Sequence, residues 1–270
     1  MFFGKNMYDL LMKTYIIGNW KMNLTVGESS LYLHKLLTKL HAYRDIEVVV
    51  APSMIALQPL SLQVDRRKIK LACQNVFYKD YGAYTGEVSV AQVRSLANYV
   101  LVGHSERRYI FKETDQDIKR KVAAVLRAGM TPVLCIGETE SERSFGETAD
   151  VIRDQLLGGL ADVSKEEVSK VLVAYEPVWA ISGHGSARLA SPLDVADVFK
   201  LIRMILKETY GKSTAEETPL LFGGSVRSLN AESYLSVENC DGLLVGGASL
   251  ITSEFVDIIE IAKRVKNDHI

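Results

Sequence analysis

Eight short apolar runs, with helical patterns between them, constrain this chain more than any other feature of its sequence. They are TYIIG (14–18), IEVVVA (46–51), IKLAC (69–73), YVLVG (99–103), TPVLCIG (131–137), VLVAYE (171–176), PLLFGG (219–224) and DGLLVGG (241–247). Each is nearly continuous in Val, Ile and Leu, the pattern of a strand buried on both faces in a parallel sheet covered by helices. The segments between them carry the helical period. In DQDIKRKVAAVLRAG, Ile118, Val122, Val125 and Leu126 share one stripe, and Gly129 suits the stop. SVAQ (89–92) reads as a capping box. In SPLDVADVFKLIRMILKE, Ser191 suits the N-cap and Pro192 the first helical position, with Val195, Val198, Phe199 and Ile202 as the stripe. Eight strand–helix units over roughly 250 residues predict an α/β fold. A single closed (β/α)8 barrel, eight parallel strands surrounded by helices, fits better than an open doubly wound sheet. No G-x-G-x-x-G follows an early strand, which argues against a dinucleotide site.

Composition narrows the partners. A chain of 270 residues that is 47% hydrophobic can bury one large core or two small ones. Its net charge of −1 gives no electrostatic footprint for nucleic acid or an anionic membrane. No apolar run approaches the ~20 residues of a spanning helix. Cys73, Cys135 and Cys240 are an odd number at wide spacing, and two fall in strand-like runs. That favours buried thiols in a reducing compartment, and a cytoplasmic location is expected. The opening MFFGKNMYDLLMK has a broken apolar stretch and no small-residue cleavage site, so it does not read as a signal peptide. Residues 1–11 read as an N-terminal extension before a barrel domain over 12–270, with Met12 as an alternative start.

In such a barrel, chemistry sits where the strands end. The first strand delivers Asn19 and Lys21, the fourth His104 and Glu106, and the sixth Glu176. The seventh leads into Gly223, Gly224 and Ser225, the eighth into Gly246 and Gly247. Glycine-rich turns there can aim backbone N–H groups at a phosphate. Glu176 is the candidate general base, since a carboxylate in a closed, dry pocket is a stronger base. His104 is placed to polarise a carbonyl and Lys21 to stabilise negative charge. The set suits proton abstraction beside a carbonyl in a small phosphorylated substrate, with no metal or cofactor. Taken singly, each residue has an ordinary reading: a structural histidine, a capping glutamate, a solvated lysine, a common turn. Their joint placement at separate strand ends carries the functional one. His34, His41 and His269 receive no role.

The motifs GNWKMN, GAYTGEVS, GHSERR, VLCIGET, AYEPVWAI, FGGSV and LLVGGASL occur in the order and spacing of the triosephosphate isomerase family, which the chain resembles from about Met12 onward. The resemblance implies interconversion of dihydroxyacetone phosphate and glyceraldehyde 3-phosphate through an enediolate. It implies Glu176 as base, His104 as electrophile, and Lys21 with Asn19 as the substrate-binding pair. Glu106 resembles the partner that positions the lysine. Ser225, Gly246 and Gly247 match the backbone phosphate donors, and Ser182 the phosphate contact of a lid that excludes water from the intermediate. It also implies a homodimer, in which the aromatic segment 73–89, with Phe77, Tyr78, Tyr81 and Tyr84, sends its tip near Thr85 into a second subunit.

The lid is where the sequence departs from the family. ISGHGSARLAS is about three residues longer than the usual run and has no lysine, and Phe222 stands where the family usually has tyrosine. His184 and Arg188 are the expected substitutes for the missing hydroxyl contact. Phe222→Tyr is then expected to tighten an enediolate-like inhibitor, unless the new hydroxyl is left buried and unpaired. Two classes stay open: an active isomerase, and a barrel that retains the pocket for binding alone.

Overall fold

Period two runs through all eight strands and decides what the barrel holds inside. The structure, a computed structural model, describes residues 13–181 and 188–268. The sequence-predicted extension 1–11, Ser182, His184 and His269 lie outside the described residues. The strands are β1 (Thr14–Asn19), β2 (Ile46–Ala51), β3 (Lys70–Cys73), β4 (Tyr99–Val102), β5 (Thr131–Ile136), β6 (Leu172–Tyr175), β7 (Leu220–Phe222) and β8 (Gly242–Val245). They pair in parallel in sequence order and close, β8 lying beside β1 with Tyr15 opposite Gly242 and Gly18 opposite Val245. This is the expected (β/α)8 barrel.

Alternate residues separate two cores. Ile17, Val49, Leu101, Val133, Leu172 and Leu244 fill the barrel with their neighbours, while Ile16, Val48, Val100, Leu134, Val173 and Leu243 face the helices. Each such side chain contributes about 1.5–3 kcal/mol by leaving water. The fourth and fifth runs stop one residue early, at a glycine, and the seventh and eighth stop before their terminal glycine pairs, whereas β1 runs on to Asn19.

The helices obey their predicted signals. Thr114 caps Asp115–Arg127 through a capping box with Asp117, and Ile118, Val122 and Val125 are buried. Gly129 follows with φ of 73°, a left-handed stop that a Cβ would strain. Ser191 and Asp194 form the capping box of Pro192–Tyr210, whose buried face includes Val195, Val198, Phe199 and Ile202. Ser89 and Gln92 form the expected capping box, although its helix, Val90–Val93, is a single turn.

Candidate active site

Continuing each strand's inward parity by two residues gives the floor of the site. After Ile17, Leu101, Cys135, Ala174, Leu221 and Leu244 come Asn19, Gly103, Gly137, Glu176, Gly223 and Gly246. Four of the six are glycines, so the top of the barrel is hollow and two side chains project there. Glu176 needs that space. A Cβ at Gly137 would lie 1.9 Å from the Glu176 carbonyl oxygen, and one at Gly223 would lie 2.9 Å from its Cγ. Only glycine on both flanking strands lets β6 end there.

Glu176 is 3% exposed. Its Oε1 lies 3.1 Å from His104 Nε2, and its Oε2 accepts the Ser105 N–H at 3.3 Å. Burial, the largest influence, pushes this carboxyl up, but His104, Lys21 and the Ser105 N–H outweigh it and hold it below the usual glutamate range. In this resting position Glu176 is therefore a weaker base than the sequence expectation had it, because the dry pocket already contains its partners. His104 forms the N-cap of the helix Ser105–Tyr109, and its Nδ1 accepts the Glu106 N–H at 3.2 Å. A ring nitrogen that accepts carries no proton, so the neutral tautomer has its hydrogen on Nε2, facing Glu176. Burial and Lys21 favour the neutral ring. Glu176 and Glu106 favour imidazolium, and at rest the balance is upward.

Lys21 adopts φ of 52°, a left-handed conformation that costs a non-glycine residue on the order of 1–3 kcal/mol and persists only where surroundings impose it. Three contacts do so. Its N–H donates to Asn19 Oδ1 at 3.0 Å, Gln74 Nε2 donates to its carbonyl at 2.8 Å, and its ammonium meets Glu106 Oε1 at 2.6 Å. Gln74 also donates to the Ala51 carbonyl at 2.9 Å, tying the lysine turn to β2. Lys21 and Asn19 line a cavity of about 200 Å³ together with Ser225, Gly246 and Gly247, as their strand-end positions predict. They also line a neighbouring groove of about 520 Å³ with His104 and Glu106. Glu176 lines neither, since it is turned onto His104.

Known proteins share this arrangement's sequence. A model of the family described as triosephosphate isomerase matches residues 14–262. The chain belongs to the triosephosphate isomerase family. The triosephosphate isomerase of Dehalococcoides mccartyi strain BAV1 is 41% identical over 254 residues, covering 94% of this chain and 98% of that protein. That of Chloroherpeton thalassium is 41% identical over 255 residues, 94% and 100% of the two chains. That of Caldanaerobacter subterraneus subsp. tengcongensis is 39% identical over 250 residues, 92% and 99%.

Phe222, one departure from the usual triosephosphate isomerase pattern, lies opposite Tyr175, the residue before Glu176. After Glu176 the chain makes a buried turn, Val178–Ala180. Trp179 Nε1 donates to the fully buried Glu138 at 2.9 Å. Ser225 Oγ donates to the Ala180 carbonyl at 2.8 Å. Arg188, one expected substitute for the missing hydroxyl, lies 5.1 Å over the Trp179 ring. Phe222 is fully buried and stacks on Tyr234 with 4.3 Å between centroids. The Tyr234 hydroxyl donates to the Ala190 carbonyl at 2.7 Å. Sequence reasoning missed Gln74 and Tyr234. Gln74 directly follows β3 and was accessible to the strand-end reading, whereas Tyr234 sits in a helix with no local signal.

This packing bears on the second outcome expected for Phe222→Tyr, a hydroxyl left buried and unpaired. The para carbon of Phe222 lies against the Gly224 backbone, where an added Cβ would come within 2.4 Å of it. A hydroxyl added to this fully buried ring that finds no acceptor costs ~1–3 kcal/mol as a buried unpaired group. We expect a fall in melting temperature of roughly 2–4 °C per kcal/mol lost. A thermal melt equal to or above wild type shows that the hydroxyl finds a bond.

Proposed function

We propose that this chain interconverts dihydroxyacetone phosphate and glyceraldehyde 3-phosphate through an enediolate, with Glu176 as base, His104 as electrophile and Lys21 as electrostatic stabiliser. The observation that carries these roles is one polar chain at the barrel's C-terminal end: Glu176 to His104 at 3.1 Å, His104 Nδ1 to the Glu106 N–H at 3.2 Å, and Glu106 to Lys21 at 2.6 Å. Substrate phosphate takes the cavity at Ser225, Gly246 and Gly247, with Asn19 and Lys21 at its reacting end and Ser182 as the lid contact. Glu176 swings from His104 to the substrate, leaves the partners that depress its basicity, and removes the proton beside the carbonyl. His104 donates Nε2–H to the developing oxyanion while Lys21 balances its charge. Glu106 holds the lysine in place. Returning the proton to the adjacent carbon completes the isomerisation, and the steps require no metal or cofactor. A coupled assay with glyceraldehyde 3-phosphate tests this, and absence of turnover favours the binding-only barrel.

We further propose one catalytic domain from about residue 12 and a homodimer built on segment 73–89. Phe77 stacks on Tyr78 and Tyr84 at 4.3 and 4.6 Å, while Tyr81 is 83% exposed. Such apolar exposure marks a partner surface. The groove beside Lys21, bordered by Met22 and Phe111, is where a partner's tip near Thr85 fits. Light scattering is expected to show a dimer; a stable monomer with full activity rejects it. No helix among the described residues is long and apolar enough to cross a membrane. With Cys73, Cys135 and Cys240 present as free thiols, we propose the cytoplasm as the location.

A further inference from the structure

The turn after β7 carries two glycines for reasons of space. A Cβ at Gly223 would come within 2.9 Å of Glu176 Cγ, and one at Gly224 within 2.4 Å of the Phe222 ring. Two successive glycines also leave the backbone many conformations to choose from, and holding one of them costs entropy. The next residue, Ser225, lines the cavity proposed for the substrate phosphate. A side chain from the helix Ser228–Leu235 removes the freedom that the glycines bring. Asn230 Nδ2 donates to the Ser225 carbonyl at 3.1 Å, and Asn230 Oδ1 accepts the Arg227 N–H at 2.7 Å. One amide thus holds two successive peptide groups of the turn, 225–226 and 226–227. Ser225 Oγ is held separately, on the Ala180 carbonyl at 2.8 Å. With its hydroxyl and its carbonyl both fixed, Ser225 keeps its N–H in one direction.

We infer that Asn230 is a positioning residue for the substrate phosphate: it does not line the cavity, but it holds the turn 223–227 in the form that presents the Ser225 N–H. This rests on the proposed reading, in which phosphate takes that cavity. Donors already in place lose little freedom when an anion arrives. A Gly-Gly-Ser turn without its pin has to be ordered by the ligand, and affinity falls by the cost of that ordering. Asparagine suits the task chemically. Its amide carries an acceptor and a donor at fixed separation, matched here to one N–H and one carbonyl.

The test is Asn230→Ala, read by calorimetric titration with inorganic phosphate and by steady-state kinetics with glyceraldehyde 3-phosphate. Alanine is the better helix former in this first turn, so the fold is retained. Phosphate binding is expected to weaken roughly two- to tenfold, the worth of one net hydrogen bond, and KM to rise by a similar factor while kcat changes less. Ser233→Ala is the control. The Ser233 hydroxyl donates to the Asn230 carbonyl within the same helix, and its removal is expected to leave phosphate affinity and KM at the wild-type values. Unchanged phosphate affinity in Asn230→Ala overturns the inference. An equal weakening in Ser233→Ala does so too, because the effect then belongs to the helix and not to the amide. A fall in kcat alone, with KM and phosphate affinity kept, is the mark of lost folded protein and also overturns it. Wild-type protein that binds phosphate without isomerising sinks the isomerase reading, and the phosphate titrations still decide this inference. Wild-type protein that binds no phosphate overturns it.

Discussion

Replacing Glu176 by glutamine is expected to lower turnover by about 10²–10⁴-fold, the usual loss on removing a general base, while KM changes far less. Glutamine keeps the length and planarity of the side chain in a space bounded by Gly137 and Gly223. Its amide oxygen can still accept from His104 Nε2, where Glu176 Oε1 sits at 3.1 Å. The amide nitrogen then meets the Ser105 N–H in place of Oε2, so one contact is exchanged for donor against donor. Folding is therefore only modestly weakened and basicity is lost entirely. The cavity proposed for the substrate phosphate is one that Glu176 does not line, so affinity is expected to be spared. Steady-state kinetics in the coupled assay separate the two. Near-normal turnover would remove Glu176 from the role of base.

The barrel was legible because both periods are written into the chain. Continuous apolar runs mark strands buried on two faces, and caps such as Ser89 with Gln92 and Ser191 mark where helices begin. Two candidate site positions were legible for the same reason: Asn19, expected to bind substrate, and Glu176, expected as base, continue the inward parity of Ile17 and Ala174. What stayed hidden depends on contacts between distant segments. The left-handed turn of Lys21 is held by Gln74, 53 residues away, and no local pattern announces that bond. Tyr234 meets Ala190 across 44 residues, a bond that shows only when the helix Ser228–Leu235 is seen against Ala190. The strength of the base was misread because burial alone was considered. In the folded protein, His104, Lys21 and the Ser105 N–H reverse the direction that burial sets.

The same reversal governs His104, the proposed electrophile, where His104→Gln is expected to cost on the order of 2.7–4 kcal/mol of transition-state stabilisation, or roughly 10²–10³ in turnover, by analogy with loss of an oxyanion donor. A neutral imidazole and a glutamine amide both donate N–H, but the imidazole is aimed by the Glu106 N–H on Nδ1, and a glutamine has no equivalent fixed ring. The protonation state is testable separately. In the free protein the ring sits between Glu176, Glu106 and Lys21, and the two carboxylates outweigh burial and the ammonium, raising its pKa above the usual histidine value. A raised value means the ring is charged below that elevated pKa and neutral above it. When Glu176 turns to the substrate, the nearest upward influence leaves with it, and burial, Lys21 and the Glu106 N–H all favour the neutral form. Two outcomes follow. Titration of the free protein by NMR is expected to place His104 above about 6.5, and Glu176→Gln is expected to bring it down. In the substrate-saturated enzyme, kcat is expected not to fall as pH rises through the imidazolium range, because the donor is already neutral. A clean loss of kcat on deprotonation of a single group near pH 6.5 would show that the charged ring is required, and the neutral assignment would be wrong.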